Sequence, residues 1–341
     1  MPAHRAAVNE MTCIADDCRL RFFCFHERLT GLFNGDGEGL TGTLARYDEG
    51  GLSMRKVLIF GGTRYFGRRL ALRLAESGDD VTIVTRGEHT PPVAKGLTFF
   101  KGDRTSSSTM KDLGSQNWDI IYDNICFNPY QAKLAVDAFE GKVGRYILTS
   151  TMSVYEQGGT NISERSYNPF PGKYDLEKEH DYGEGKRQAE SYFFQRATFP
   201  VIAVRFPVVL GPDDYTERLV FHVKRALADQ PVIAENLYAK MGYISSYEAA
   251  AFLEWCGRST MTGPINAASD GVLSIQDLMD KIDHVAGTTS RFETTGEEPS
   301  PLAPDHDFYM DTTAAKQTGY IFQHVDDWLD RLIEEEVRNH K

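Results

Sequence analysis

"KVLIFGGTRYFGRRLALRL", residues 56–74, decides the fold. Its first five residues, Lys56–Phe60, form a short apolar run of the kind buried on both faces of a parallel sheet. Gly61 follows that strand directly. Gly67 falls in the first turn of a helix whose apolar residues Phe66, Leu70 and Leu74 recur at helical spacing. Gly78 in "ESGDD" stops the helix, and "VTIVT" (81–85) forms a second strand. Strand, glycine loop, helix and strand within about 30 residues is the setting in which the unpaired N–H groups of a helix start receive a pyrophosphate. The unusual residue is Arg64, a long cation where many such loops carry another glycine.

Outward from this unit the alternation continues. "LTFF" (97–100), "DIIY" (119–122), "RYILT" (145–149) and "VIAVR" (201–205) read as strands. Helical stretches such as "QAKLAVDAF" (131–139) and "GKRQAESYFFQRA" (185–197) lie between them. The pattern predicts an α/β fold with a Rossmann-type, doubly wound parallel sheet. Past residue 206 the alternation loosens, with helices expected near 215–229, 246–257, 274–286 and 324–339 and loops rich in Pro, Gly and Asp. The expected organisation is a nucleotide-binding domain over 54–206. A smaller C-terminal substrate-binding lobe follows over 207–341, with some segments returning to the first domain. Residues 1–53 differ from the rest: "FNGDGEGLTGTLARYDEGGLS" (33–53) is glycine-rich without a sustained period. They read as an upstream extension without a fold, with Met54 as the natural start.

Composition narrows the function classes. The chain has 341 residues, 25% charged and 41% hydrophobic, ordinary for a globular protein. A net charge of −12 argues against a general nucleic-acid binder, which carries a basic face. Of five cysteines, Cys13, Cys18 and Cys24 match no zinc spacing with His26, and Cys126 and Cys256 sit in apolar surroundings. They read as idle thiols in a reducing compartment. No apolar run is long enough to span a bilayer, and the expected location is the cytoplasm. His180 with Asp181, and "APDHDFYMD" (303–311) with His306, complete no ligand set, so no metal is expected. "WLDRLIEEEVRNH" (328–340) reads as an amphipathic helix that caps a core.

The chemistry-bearing stretch is "HDYGEGKRQAE" (180–190). Tyr182 and Lys186, four apart on a helix, share one face. A phenol with a pKa of ~10 is a poor base at neutral pH, and a neighbouring ammonium favours its phenolate. Such a pair can move a proton on a substrate hydroxyl or carbonyl. "YILTSTMSVY" (146–155) supports it, since Thr149, Ser150, Thr151 and Ser153 fall where a buried strand ends, at the carboxyl edge of the sheet.

Glycine loop, strand-end hydroxyls and YxxxK in this order resemble the extended short-chain dehydrogenase/reductase superfamily over residues 54–340. Within it the sequence looks most like the NAD-dependent epimerase/dehydratase group, in a branch with a "GGTR" loop that also includes chloroplast stem-loop RNA-binding proteins. The resemblance implies a bound nicotinamide cofactor and, often, nucleotide-sugar substrates. By the motif, Thr151 matches the active-site Ser/Thr, Tyr182 the acid/base, and Lys186 the partner that also holds the cofactor ribose. Gly61, Gly62, Thr63, Arg64, Tyr65, Phe66 and Gly67 match the cofactor loop, and Asp103 in "KGDR" an acid that reaches the adenine. The chain departs from the family at Arg64, at "DNICFNP" (123–129) where a small-residue turn is usual, and at Val208 where a polar residue commonly meets a sugar nucleotide.

The function expected is therefore an NAD(P)-dependent epimerase/dehydratase or reductase. The alternative is a non-catalytic RNA-binding or scaffold protein on the same fold. The second strand ends in Thr85 and Arg86 without a carboxylate, so Arg64 and Arg86 are expected to converge on a 2′-phosphate and favour NADP over NAD. The expected partner is a small-molecule substrate, a nucleotide sugar among the candidates, with no membrane and no nucleic acid. A homodimer is the candidate assembly.

Overall fold

The computed structural model describes residues 54–155 and 159–341, and the reading of residues 1–53, with Cys13, Cys18 and Cys24, lies outside them. Along the first half run β1 (Lys56–Phe60), α1 (Tyr65–Glu76), β2 (Asp80–Thr85), β3 (Leu97–Lys101), α2 (Ser107–Leu113), β4 (Trp118–Asp123), α3 (Pro129–Phe139), β5 (Val143–Thr151), β6 (Gly159–Ile162), α4 (Tyr182–Arg196) and β7 (Val201–Phe206). Seven strands form one parallel sheet in the order β12-β7-β5-β4-β1-β2-β3, its far edge supplied by β12 (Gly263–Asn266). The sheet is parallel because each strand is buried on both faces: Val57, Leu58, Ile59 and Phe60 are all fully buried, as are Ile202, Ala203 and Val204. Leu70 and Leu74 of α1 pack on one face with Phe252 and Leu253, and Ala132, Phe139, Ala189 and Phe193 of α3 and α4 pack on the other. Chain order reverses between β1 and β4, the switch point where such sheets open a crevice.

The second half holds β8 (Val208–Leu210), α5 (Arg218–Leu227), β9 (Val232–Ile233), β10 (Lys240–Met241), β11 (Tyr243–Ser245), α6 (Ser246–Arg258), then β12, β13 (Leu273–Ser274), α7 (Ile275–Ala286), β14 (Phe292–Glu293), β15 (Phe308–Met310), α8 (Thr313–Gln317) and α9 (Asp326–His340). Its core gathers Val223 of α5, Leu278 and Ile282 of α7, and Leu329 and Ile333 of α9, so the terminal helix does cap a core. A small mixed sheet, β13-β10-β15-β6, joins the two halves.

Three helix starts differ from the periodic reading, each for a local reason. α3 begins at Pro129 because Asn128 caps it, accepting from the Gln131 amide at 2.9 Å, and proline fits a first turn. α4 begins at Tyr182 because Asp181 caps the Glu184 amide at 2.9 Å. α5 begins only at Arg218, since Glu217 sits in the left-handed region at φ 53°.

Candidate functional site

The glycine loop between β1 and α1 is held by contacts only glycine permits. A Cβ at Gly67 would lie 2.0 Å from the Gly61 carbonyl oxygen, and Gly61 itself takes φ +78°. Gly62 turns inward, where a Cβ would meet Ile83 at 3.0 Å. The arginine is tolerated because Arg64 is extended, at φ −133° and ψ 159°, a conformation open to any residue. It serves as the N-cap of α1, its carbonyl accepting from the Arg68 amide at 3.0 Å.

The loop opens onto a cleft of about 460 Å³ at the switch point. Gly61, Thr63, Arg64, Tyr65, Phe66 and Gly67 line it, and so do Arg86 and Asp103. The Asp103 carboxylate accepts from both the amide and the hydroxyl of Thr105 at 2.7 Å, and these bonds hold it below the usual carboxylate range. Across the cleft, Asn124 donates to the Gly61 carbonyl at 3.3 Å and accepts from the Thr149 hydroxyl at 2.7 Å, stitching the ends of β1, β4 and β5. Beneath it the buried Arg104 pairs with Asp123, which also accepts from the Tyr146 hydroxyl at 2.6 Å. Cys126 is buried, and burial raises its thiol to about 11.

The two arginines do not converge as the sequence suggests. The Arg64 guanidinium lies 4.2 Å from the centre of the Tyr215 ring, which reaches over from the second half of the chain. Arg86 donates to the Glu88 carboxylate at 2.7 Å. Glu88 and Tyr215 both line the cleft. Neither was singled out from the sequence, because Glu88 follows β2 by three residues and Tyr215 is about 150 residues from the loop it covers.

Thr151, Tyr182 and Lys186 sit beside this cleft rather than in its lining. Lys186 is 1% exposed; its ammonium donates to the Thr149 carbonyl at 2.8 Å and lies 5.9 Å from the Tyr182 ring centre. Tyr182 is 53% exposed and lines a second cavity of about 460 Å³ together with Ser153, Tyr155 and Phe308. Thr151, at the last position of β5, is buried; its hydroxyl donates to Ser153 at 3.2 Å and accepts from the Ser153 amide at 3.1 Å. Ser153 thus carries the hydroxyl array from the strand end toward Tyr182. The residue common to both regions is Phe127, which lines the first cleft and a further cavity at Tyr182 of about 370 Å³. Val208 sits in β8, paired with Tyr243.

Residues 57–125, from β1 through β4, match the model of the NAD dependent epimerase/dehydratase family. A curated relative, the chloroplast stem-loop binding protein of 41 kDa b of Arabidopsis thaliana, is 28% identical over 230 residues, which cover 60% of this chain and 56% of that protein. The match thus spans a little over half of that relative's length. Among solved structures, UDP-glucose 4-epimerase of Thermus thermophilus in complex with NAD superposes with a TM-score of 0.66 at 14% identity, over 84% of this chain and 100% of that one. A putative epimerase of Burkholderia cenocepacia gives 0.67 at 15%, over 83% and 98%. UDP-N-acetylglucosamine 4-epimerase of Methanobrevibacter ruminantium gives 0.64 at 18%, over 84% and 98%. Residues 57–125 thus resemble the NAD dependent epimerase/dehydratase family, and the described residues share the fold of solved epimerases.

Proposed function

We propose that the chain is an NAD(P)-dependent epimerase/dehydratase or reductase that acts on a hydroxyl or carbonyl of a small, sugar-nucleotide-like substrate. The observation that carries this reading is Lys186, a buried cation anchored on the Thr149 carbonyl one helical turn beyond an accessible Tyr182. In this role the Tyr182 hydroxyl takes or gives the proton at the substrate oxygen, with the Lys186 ammonium 5.9 Å from its ring centre. The Thr151 and Ser153 hydroxyls, bonded to each other, orient that oxygen. The glycine loop fits a pyrophosphate, since glycine at 67 lets the first turn of α1 close onto Gly61. When bound, the nicotinamide supplies the hydride chemistry, and the chain supplies binding, orientation and the proton.

For the adenosine end we favour NAD. Arg86 is already paired with Glu88, Arg64 is stacked on Tyr215, and a carboxylate in the cleft would repel a 2′-phosphate. The relatives solved as epimerases include one in complex with NAD.

The test begins with mass identification of any nucleotide released from the purified protein, followed by a turnover screen over sugar nucleotides. Tyr182→Phe keeps the ring and removes the oxygen, and it is expected to lower turnover ~100-fold or more with cofactor affinity unchanged. Turnover surviving within a few-fold would end the assignment of Tyr182. A second reading, binding of structured RNA, is favoured by the stem-loop binding relative. Retention of an RNA stem-loop at physiological salt, without turnover of any sugar nucleotide, would select it.

A further inference from the structure

Phe127 occupies the space between the two halves of the candidate site. Its ring centre lies 4.8 Å from the Lys186 ammonium and 6.3 Å from the Tyr182 ring. The backbone on either side is fixed. Its amide donates to the Gln131 side chain at 2.7 Å, and its carbonyl packs on α4 so closely that a Cβ at Gly185 would lie 2.4 Å away. Asn128 and Pro129 then start α3. The residue is 43% exposed while its backbone is held, so the side chain is the part free to turn. An ammonium carries three donors. For Lys186 one goes to the Thr149 carbonyl, and the Phe127 ring face covers the charge on another side.

We propose that Phe127 is a positioning residue that gates Lys186. In the arrangement seen here the cleft is open to the adenosine and pyrophosphate half of a dinucleotide, while the ring keeps the lysine ammonium from the second ribose. Rotation of Phe127 about its side-chain bonds exposes the ammonium to a ribose hydroxyl, which replaces the ring as its partner. The ring thereby makes engagement of Lys186 conditional on full-length ligand. The inference rests on the cofactor reading above. A closed majority state lowers apparent affinity by the fraction of molecules that are open, and it does so only for ligands that need the open state.

The experiment compares NAD with ADP, which lacks the second ribose and the nicotinamide, by calorimetric titration of the full chain. Wild type is expected to bind the two within about threefold. Phe127→Ala should tighten NAD roughly tenfold and leave ADP unchanged. Adding Lys186→Met to Phe127→Ala should abolish that gain, which a merely structural role for Phe127 would not predict. Unchanged thermal unfolding of Phe127→Ala checks that the fold persists, and Phe127→Leu provides a milder variant if it does not. If both ligands bind and neither variant alters the NAD-to-ADP ratio, the gate is overturned and the cofactor reading stands. If neither ligand binds wild type, the cofactor reading falls and the gate with it.

Discussion

At the scale of single residues, Arg205 is a cation buried completely among the described residues. It and Glu190 are both fully buried, 2.5 Å apart. Burial works against the guanidinium charge, but the adjacent Glu190 carboxylate outweighs it and leaves the Arg205 pKa raised. The remaining donors are used: Arg205 donates to the Tyr155 hydroxyl at 2.9 Å and to the Glu164 and Tyr167 carbonyls at 3.2 Å, and Ser150 donates to Glu190. Removing one partner of such a pair leaves an uncompensated buried charge. Arg205→Met is therefore expected to cost about 3–5 kcal/mol in urea unfolding, with part of the loss recovered by adding Glu190→Leu. A single-variant loss below about 1 kcal/mol would mean that the pair carries little stability. None of this was legible in "VIAVR", where Arg205 looks like the polar end of a strand; Glu190 of α4 encloses it together with Tyr155, Glu164 and Tyr167.

At the scale of elements, α5 carries a built-in acid sensitivity. His222 is fully buried. Its Nδ1 lies 2.7 Å from the Arg218 carbonyl oxygen, to which it donates, and its Nε2 accepts from the Ser300 hydroxyl at 2.8 Å. Burial is the main cause that lowers its pKa to about 4, against a bond to Arg218 that partly resists. The unfolded chain, near 6.5, binds a proton that the folded chain refuses. The stabilisation is complete above the unfolded pKa and is lost as pH falls from about 6.5 toward 4, at about 1.4 kcal/mol per pH unit. Between pH 7.5 and 5, wild type should lose about 2 kcal/mol that His222→Gln does not, measured by denaturant unfolding at both pH values. Equal losses in the two proteins would remove His222 as the cause.

At the scale of the whole molecule, the seven-stranded sheet and the small mixed sheet meet at Asn266. This residue of β12 is fully buried. It accepts from the Tyr155 hydroxyl at 2.6 Å, donates to the Ile162 carbonyl at 2.8 Å and to the Asp311 carbonyl at 3.0 Å, and its amide donates to Glu164 at 2.8 Å. Asn266→Ala would take one hydrogen bond from each of three buried polar groups, the Tyr155 hydroxyl and the Ile162 and Asp311 carbonyls, an expected loss of about 2–4 kcal/mol in thermal or urea unfolding. Asn266→Asp keeps the acceptor alone and should be damaging as well, because the two carbonyls then face an oxygen. A fully stable Asn266→Ala would show that the two sheets hold together without this residue.

The parallel sheet and the glycine loop were legible in the residues alone. Strands buried on both faces must be continuous apolar runs, and a helix start pressed onto a strand end must be glycine, so both leave a mark in a few adjacent residues. The same local logic placed Tyr182 and Lys186 on one helix face, since the separation of four is a property of the helix alone. The mixed sheet was not legible, because β10, β13 and β15 are two or three residues long and have no period to detect. Nor were the partners of the site's cations. Tyr215 under Arg64, Glu88 on Arg86 and Phe127 over Lys186 are pairings made by chain reversal and loop path, which no spacing records. A charged side chain announces its type in the sequence, but its neighbour sets its chemistry, and the tertiary structure alone chooses that neighbour.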